Sequence, residues 1–319
     1  MATAKAVNVE HRARVRADAE SVFRLLVDLD NWPRVFPPFV HLESLGTDAR
    51  GRERVGMWST SGERVEHWVA LRTVDAAGLR VGFVPERIEA PMTSMSRDWV
   101  VEPDGDAACV VRLEQAFTVS PGHTDALAPL RRTVAELAPA ELSAVQTAAE
   151  LEAAFPELLV VVEDEVVIPG GSAPDVYAFL FDAARWPQRL DHVERATVRE
   201  ENGPAHLLEL VTREPRGGTM TTKATRVGLG PHKIAYKHLL LPPLGSSHHV
   251  QWRIAETPGG TTVASRQTVV LDESGVAAVL GDGTGLAEAR AFVRSELSTQ
   301  VLRVLDQARD HFDPVESSR

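Results

Sequence analysis

The segment Ser21-Val22-Phe23-Arg24-Leu25-Leu26-Val27-Asp28, followed by Trp32-Pro33, returns as Asp175-Val176-Tyr177-Ala178-Phe179-Leu180-Phe181-Asp182, followed by Trp186-Pro187. The offset is about 154 residues, far above the roughly 20–50 of solenoid repeats. Arg72 and Arg226, Trp99 and Trp252, and Glu141-Leu142-Ser143 with Glu296-Leu297-Ser298 keep nearly the same spacing and the same order. This is a tandem duplication in which each copy must bury a core of its own. The expected domains are residues 1–157 and 158–319.

Each copy reads as a strand, a short helix, six strands and a long helix. In the first, a strand is expected over Val7–Val15 and a helix over Ala17–Leu29, where Val22, Leu25, Leu26 and Leu29 share one face. Asn31-Trp32-Pro33 is expected to stop that helix, because proline lacks an amide donor and disfavours helical geometry in its predecessor. Strand-like runs follow at His41–Leu45, Arg52–Thr60, Val65–Val74, Leu79–Val84, Ser94–Val101 and Cys109–Val119. A helical region from Thr124 to Ala154 closes the copy, with Pro139 expected to interrupt it. The second copy repeats the plan, from a strand at Leu158–Ile168 to a helix at Leu286–His311. The pattern is α+β: an antiparallel sheet curled around the long helix, with a cavity between them.

Composition narrows the function. A formal charge of −11 lacks the basic footprint that phosphate backbones demand, so no nucleic-acid partner is expected. No apolar run approaches the ~18 residues of a membrane span, and Met1-Ala2-Thr3-Ala4-Lys5 carries no apolar leader. A cytoplasmic protein with no membrane partner is therefore expected. Cys109 has no second cysteine to pair with and reads as a small buried hydrophobe. The chain lacks Cys-x-x-Cys, His-Glu-x-x-His, a phosphate-cradling glycine loop and a dinucleotide fingerprint, so neither metal nor organic cofactor is expected. His248-His249 does not change this, since adjacent residues on a strand face opposite ways.

Several motifs together resemble the bacterial didomain polyketide aromatase/cyclases, relatives of the START-like helix-grip superfamily. In the first copy they are Trp32-Pro33 with Phe36-Pro37-Pro38 and Glu43, Trp68-Val69-Ala70-Leu71-Arg72, Ala90-Pro91, Ser94-Met95 and Trp99-Val100-Val101-Glu102-Pro103. In the second they are Trp186-Pro187 with His192-Val193-Glu194, Thr221-Thr222-Lys223, Arg226-Val227, Ile234-Ala235-Tyr236-Lys237 and Trp252. The resemblance implies two tandem helix-grip domains. It also implies first-ring aldol cyclisation, joining carbons 7 and 12, and dehydrative aromatisation of a poly-β-ketone. The substrate would be tethered to an acyl carrier protein and come from a ketosynthase, with one carbonyl reduced by a ketoreductase. The competing class is a non-catalytic carrier of lipids or other hydrophobic ligands, built on the same cavity.

Such chemistry asks for a preorganised chain, a donor where oxyanion charge develops, and a modest acid or base. On a strand, Arg64, Glu66, Trp68, Ala70 and Arg72 share one face, and alternation alone leaves open whether that face meets solvent. The resemblance turns Arg72 into the pocket, with Trp68 as its wall. Met220, Thr222, Ala224 and Arg226 share a face opposite Lys223, so Arg226 points inward, to a substrate oxygen or to a structural carboxylate. His192 and Tyr236 are the candidate proton carriers. Trp32, Phe36, Phe39, Trp58, Trp68 and Trp99 are expected to line the first cavity, with Phe36 and Phe39 in a segment able to cover it. Trp186, Met220, Thr222 and Trp252 are expected to line the second. Phe39 and Ala70 replace a tyrosine and a serine of some relatives, which leaves the first copy without those proton donors.

Overall fold

The computed structural model describes residues 5–62, 64–214 and 217–312, so the first four residues of the leader reading lie outside it. The described residues form two compact units, one running to Ser59 and over His67–Pro156, the other comprising Thr60–Glu66 and the residues from Glu157 onward. The first contains β1 (Lys5–Val15), α1 (Ala19–Val27), α2 (Trp32–Val35), β2 (Phe39–Thr47), β3 (Glu53–Ser61), β4 (Arg64–Asp75), β5 (Arg80–Pro85), β6 (Met92–Pro103), β7 (Cys109–Val119) and α3 (Leu127–Ala154). Its strands form one antiparallel sheet in the order β1-β7-β6-β5-β4-β3-β2.

The second unit contains β8 (Leu159–Ile168), α4 (Ala173–Phe181), α5 (Trp186–Arg189), β9 (Val193–Asn202), β10 (Ala205–Arg213), β11 (Thr219–Leu229) and β12 (Lys233–Leu240). It ends with β13 (Gly245–Thr257), β14 (Gly260–Leu271), α6 (Val276–Leu280) and α7 (Leu286–Phe312). The sheet order, β8-β14-β13-β12-β11-β10-β9, repeats that of the first. This is the expected α+β plan, twice.

Local chemistry sets the element ends. Asp18 caps α1 by accepting from the Ser21 amide, and Ser172 caps α4 by accepting from the Asp175 amide. Pro33 does not end the first helix. That helix stops at Asp28, whose side chain accepts from the Asp30 amide, and Pro33 sits in the first turn of α2, where a missing N–H costs nothing. Nor does Pro139 break α3, which runs through it. Pro139 is exposed, while Ala138, Leu142, Val145 and Ala149 form a stripe beside it that holds the helix in the core. The short α6 has no counterpart in the sequence reading.

The core follows the two periodicities. Along β7, Cys109, Val111, Leu113, Phe117 and Val119 are buried at alternate positions. The Cys109 thiol is fully buried, and desolvation pushes it up to about 11, as befits a small hydrophobe rather than a nucleophile. In the second unit Val301, Val304, Leu305 and Ala308 of α7 share one core with Val250, Trp252 and Ile254 of β13. Among the described residues no helix is long and apolar enough to cross a membrane.

At Gly228, on β11, the sheet passes directly under α4. A Cβ there would overlap the Tyr177 hydroxyl and stand 2.7 Å from ring carbons of Phe181. Those two rings are stacked on each other at 5.4 Å. Gly228→Ala is therefore expected to destabilise the second unit by about 2 kcal/mol. A lower urea midpoint, with hydrogen exchange locating the loss in β11 and β12, is the check.

Candidate active site

In the first unit the predicted lining residues meet, but they fill the interior. Trp32 lies 4.7 Å from Phe36, 5.2 Å from Phe39 and 5.0 Å from Phe83, ring centre to ring centre. Phe36 reaches Trp99 at 5.6 Å and Phe39 reaches Trp68 at 5.9 Å. Phe36 is buried rather than poised as a cover, and Phe39 opens β2. Trp58 takes the other face of the sheet, stacked 4.5 Å from His67. It falls out of step with Val55 and Met57, the core residues of β3.

Arg72 does face inward, but it is already engaged. Its Nε donates to Glu53 at 2.7 Å, and Nη1 donates to the Val27 carbonyl, the last of α1, at 2.6 Å. Nearby, Arg97 of β6 and Glu141 of α3 form an ion pair at 2.7 Å across the seam between sheet and helix. Gln115 of β7 completes it, its amide oxygen accepting from Arg97. Burial pushes the Glu141 carboxyl up, and Arg97 works against that.

The second unit keeps an open seam. A cavity of about 170 Å³ lies between its sheet and α7. Trp186, His192, Met220, Thr222, Arg226, Tyr236 and Trp252, all expected from the sequence, line it together. Arg226 is only 1% exposed. Its Nη1 donates to the Phe181 carbonyl at 3.1 Å and Nη2 to the Leu180 carbonyl at 2.8 Å, at the end of α4. Its carbon lies 4.9 Å from the Trp186 ring centre, 5.5 Å from Phe181 and 5.9 Å from Tyr236. No carboxylate among the described residues pairs with it. Desolvation brings its pKa down to about 10, and the two nearby tyrosines oppose that, so it stays cationic at neutral pH.

The other titratable groups divide into donors and neutral bases. Burial raises the Tyr236 phenol, only partly offset by Arg226, so it remains a protonated donor. His192 stands at the cavity edge, 3.3 Å from Asp191, held down by burial and by Arg303. Three polar residues missed in the sequence also belong here. His206 faces Arg226 across the β10–β11 pair, and burial plus that charge lowers it to about 3. His238 and His248 stack face to face at 4.4 Å inside the cavity. The signal was legible in part, since period two places His238 beside Tyr236 and His248 beside Trp252 on the inner face. Among the described residues no group of three or more His, Cys, Asp or Glu side chains could hold a metal.

Comparison with known proteins extends this picture. A family model described as "Polyketide cyclase / dehydrase and lipid transport" matches residues 6–150. The granaticin polyketide synthase bifunctional cyclase/dehydratase of Streptomyces violaceoruber is 33% identical over 302 residues, covering 94% of this chain and 93% of that relative. The actinorhodin polyketide synthase bifunctional cyclase/dehydratase of Streptomyces coelicolor is 34% identical over 310 residues, covering 94% and 95%. The crystal structure of the di-domain ARO/CYC BexL, from the BE-7585A biosynthetic pathway, superposes with a TM-score of 0.88 at 39% identity. That match covers 96% of this chain and 99% of the other.

Two outcomes follow from the geometry. Arg72→Ala strands a part-buried Glu53 and an uncapped helix end, so the first unit should lose about 3 kcal/mol, measured by denaturant unfolding. In the second unit, His206 at about 3 and His248 at about 4 are neutral when folded but titrate near 6.5 when unfolded. Below about pH 6.5 the unfolded chain binds protons that the folded unit refuses, so stability falls with pH. The slope is about 1.4 kcal/mol per pH unit for each imidazole and vanishes above that range. His206→Phe should flatten the fall in urea midpoint between pH 7 and pH 5.

Proposed function

The chain belongs to the polyketide cyclase/dehydratase family of enzymes, and from that footing we propose that its second unit closes and dehydrates the first ring of a poly-β-ketone. The substrate arrives on an acyl carrier protein, made by a ketosynthase and reduced at one carbonyl by a ketoreductase, and the new bond joins carbons 7 and 12. One observation carries the assignment to this unit. Arg226 is a buried cation on the cavity wall with no carboxylate among the described residues to neutralise it. Burying an unpaired charge costs several kcal/mol, which suits a site that completes the pairing with a substrate oxygen.

The chemistry needs little beyond this. A C–H bond beside a ketone breaks and its proton passes to the neutral His192 at the cavity edge. The enolate carbon attacks a second ketone, and the resulting alkoxide takes a proton, which the His192 imidazolium makes good. Arg226 spends two N–H groups on helix carbonyls and has others for the developing oxyanion. The Tyr236 hydroxyl, which makes no hydrogen bond among the described residues, is the adjacent proton donor. The cavity volume of about 170 Å³ supports a first-ring reaction. A dry protein cavity of about 150 Å³ holds a benzene molecule. One six-membered ring therefore fits, with the remaining chain outside.

The test is reconstitution with a minimal polyketide synthase and ketoreductase, comparing wild type, Arg226→Gln and Arg72→Gln. Glutamine keeps an amide donor for a helix carbonyl, and circular dichroism reports whether the fold survives. Arg226→Gln should lower the rate of aromatic first-ring product about 10²-fold, the usual cost of one oxyanion donor. Arg72→Gln should keep the product pattern. If the products are the same with and without the protein, the cavity is that of a hydrophobic-ligand carrier instead.

A further inference from the structure

We infer that His238 is a further catalytic residue of the second unit, moving the proton in the dehydration step, with His248 and Gln267 holding it in place. The inference rests on reading this cavity as the place where the ring closes. Its starting point is a tautomer fixed by hydrogen-bond bookkeeping. The Gln267 amide nitrogen donates to the Leu297 carbonyl of α7 at 3.1 Å. A carbonyl can only accept, so the amide orientation is set and its oxygen faces His248 Nε2 at 3.0 Å. His248 therefore carries its proton on Nε2, and the ring is locked between β14 and the face of His238.

His238 lies parallel to that locked ring, 4.4 Å away with 11° between the planes. Its own nitrogens make no hydrogen bond among the described residues, although the ring stands on the cavity wall. It is thus oriented by stacking and chemically unspent. The Tyr236 ring separates it from Arg226, lying 5.6 Å from His238 and 5.9 Å from the guanidinium carbon. An oxyanion donor and an imidazole so placed can serve two atoms of one bound ring. Burial, reinforced by His248, holds His238 well below its ordinary value, so the imidazole is neutral and keeps an unprotonated ring nitrogen.

The step balances without a co-reactant. After ring closure, the carbon beside the ring ketone loses a proton to His238, and its electrons collect on the oxygen held by Arg226. Those electrons return to form the ring C=C bond as the neighbouring C–O bond breaks. The departing hydroxyl takes the proton from the imidazolium and leaves as water. The imidazole is neutral again.

The full-length protein, assayed in the same reconstitution, separates this from the parent reading. His238→Ala should still direct ring closure but release a ring that keeps one more water, with aromatic product down at least ten-fold. Imidazole added to the buffer should restore part of it. His238→Asn, closer in shape, should behave alike if the alanine variant is unstable. His248→Phe keeps a flat ring against His238 and should retain water loss, whereas His248→Ala should slow it. Wild-type aromatisation by a folded His238→Ala or His238→Asn protein overturns the inference and leaves the ring-closure assignment standing. A wild-type protein that closes no ring overturns both.

Discussion

The arginine of the fourth strand ties each short helix to its sheet. Arg72 donates to the last carbonyl of α1, and Arg226 donates to the last two of α4. Helix C-termini leave carbonyls without partners and carry partial negative charge, so a guanidinium is a natural cap. The geometry of each interior depends on that tether. It fixes the short helix over the sheet and places a cation at the end of that helix.

What differs is the company each arginine keeps. Glu53 neutralises Arg72, whereas Arg226 faces a neutral histidine across the strand pair and the rings of Trp186, Phe181 and Tyr236. The same divergence recurs at the seam below the long helix. Arg97, Gln115 and Glu141 bridge it in the first unit. In the second, Gln267 occupies the corresponding strand, but Val250 replaces the arginine and Glu296 reaches only the rim of the cavity. One copy has thus traded its interior for ion pairing and close aromatic packing, and the other has kept space and unspent donors.

Much of this was legible because it is local. The duplication, the alternating strands and the inward turn of Arg226 follow from short-range patterns in Val7–Val15 and Met220–Arg226, whereas alternation over Trp68–Arg72 left the side taken by Arg72 open and only the family resemblance turned it inward. The divergence was not legible, since it depends on partners from distant strands. Nothing beside Arg72 in the sequence announces Glu53, and nothing beside Arg97 announces Glu141. Trp58 was misplaced because counting aromatics ignores the strand's parity. Proline was over-read at Pro33, whose place in the first turn of α2 removes its penalty, and at Pro139, where packing of Ala138, Leu142, Val145 and Ala149 into the core offsets it. The histidine stack was missed because His238 and His248 lie on different strands, and only pairing brings their rings together.

The small size of the second cavity carries a consequence for what the enzyme can measure. On the proposed reading, a vessel that admits about one ring would touch only that part of a long chain and leave the remainder outside. Such a site can read the identity and spacing of a few carbonyls but has nothing with which to count carbons. If the ring closes there as proposed, the site would act as a gauge rather than a ruler, and the length of the chain would be decided elsewhere.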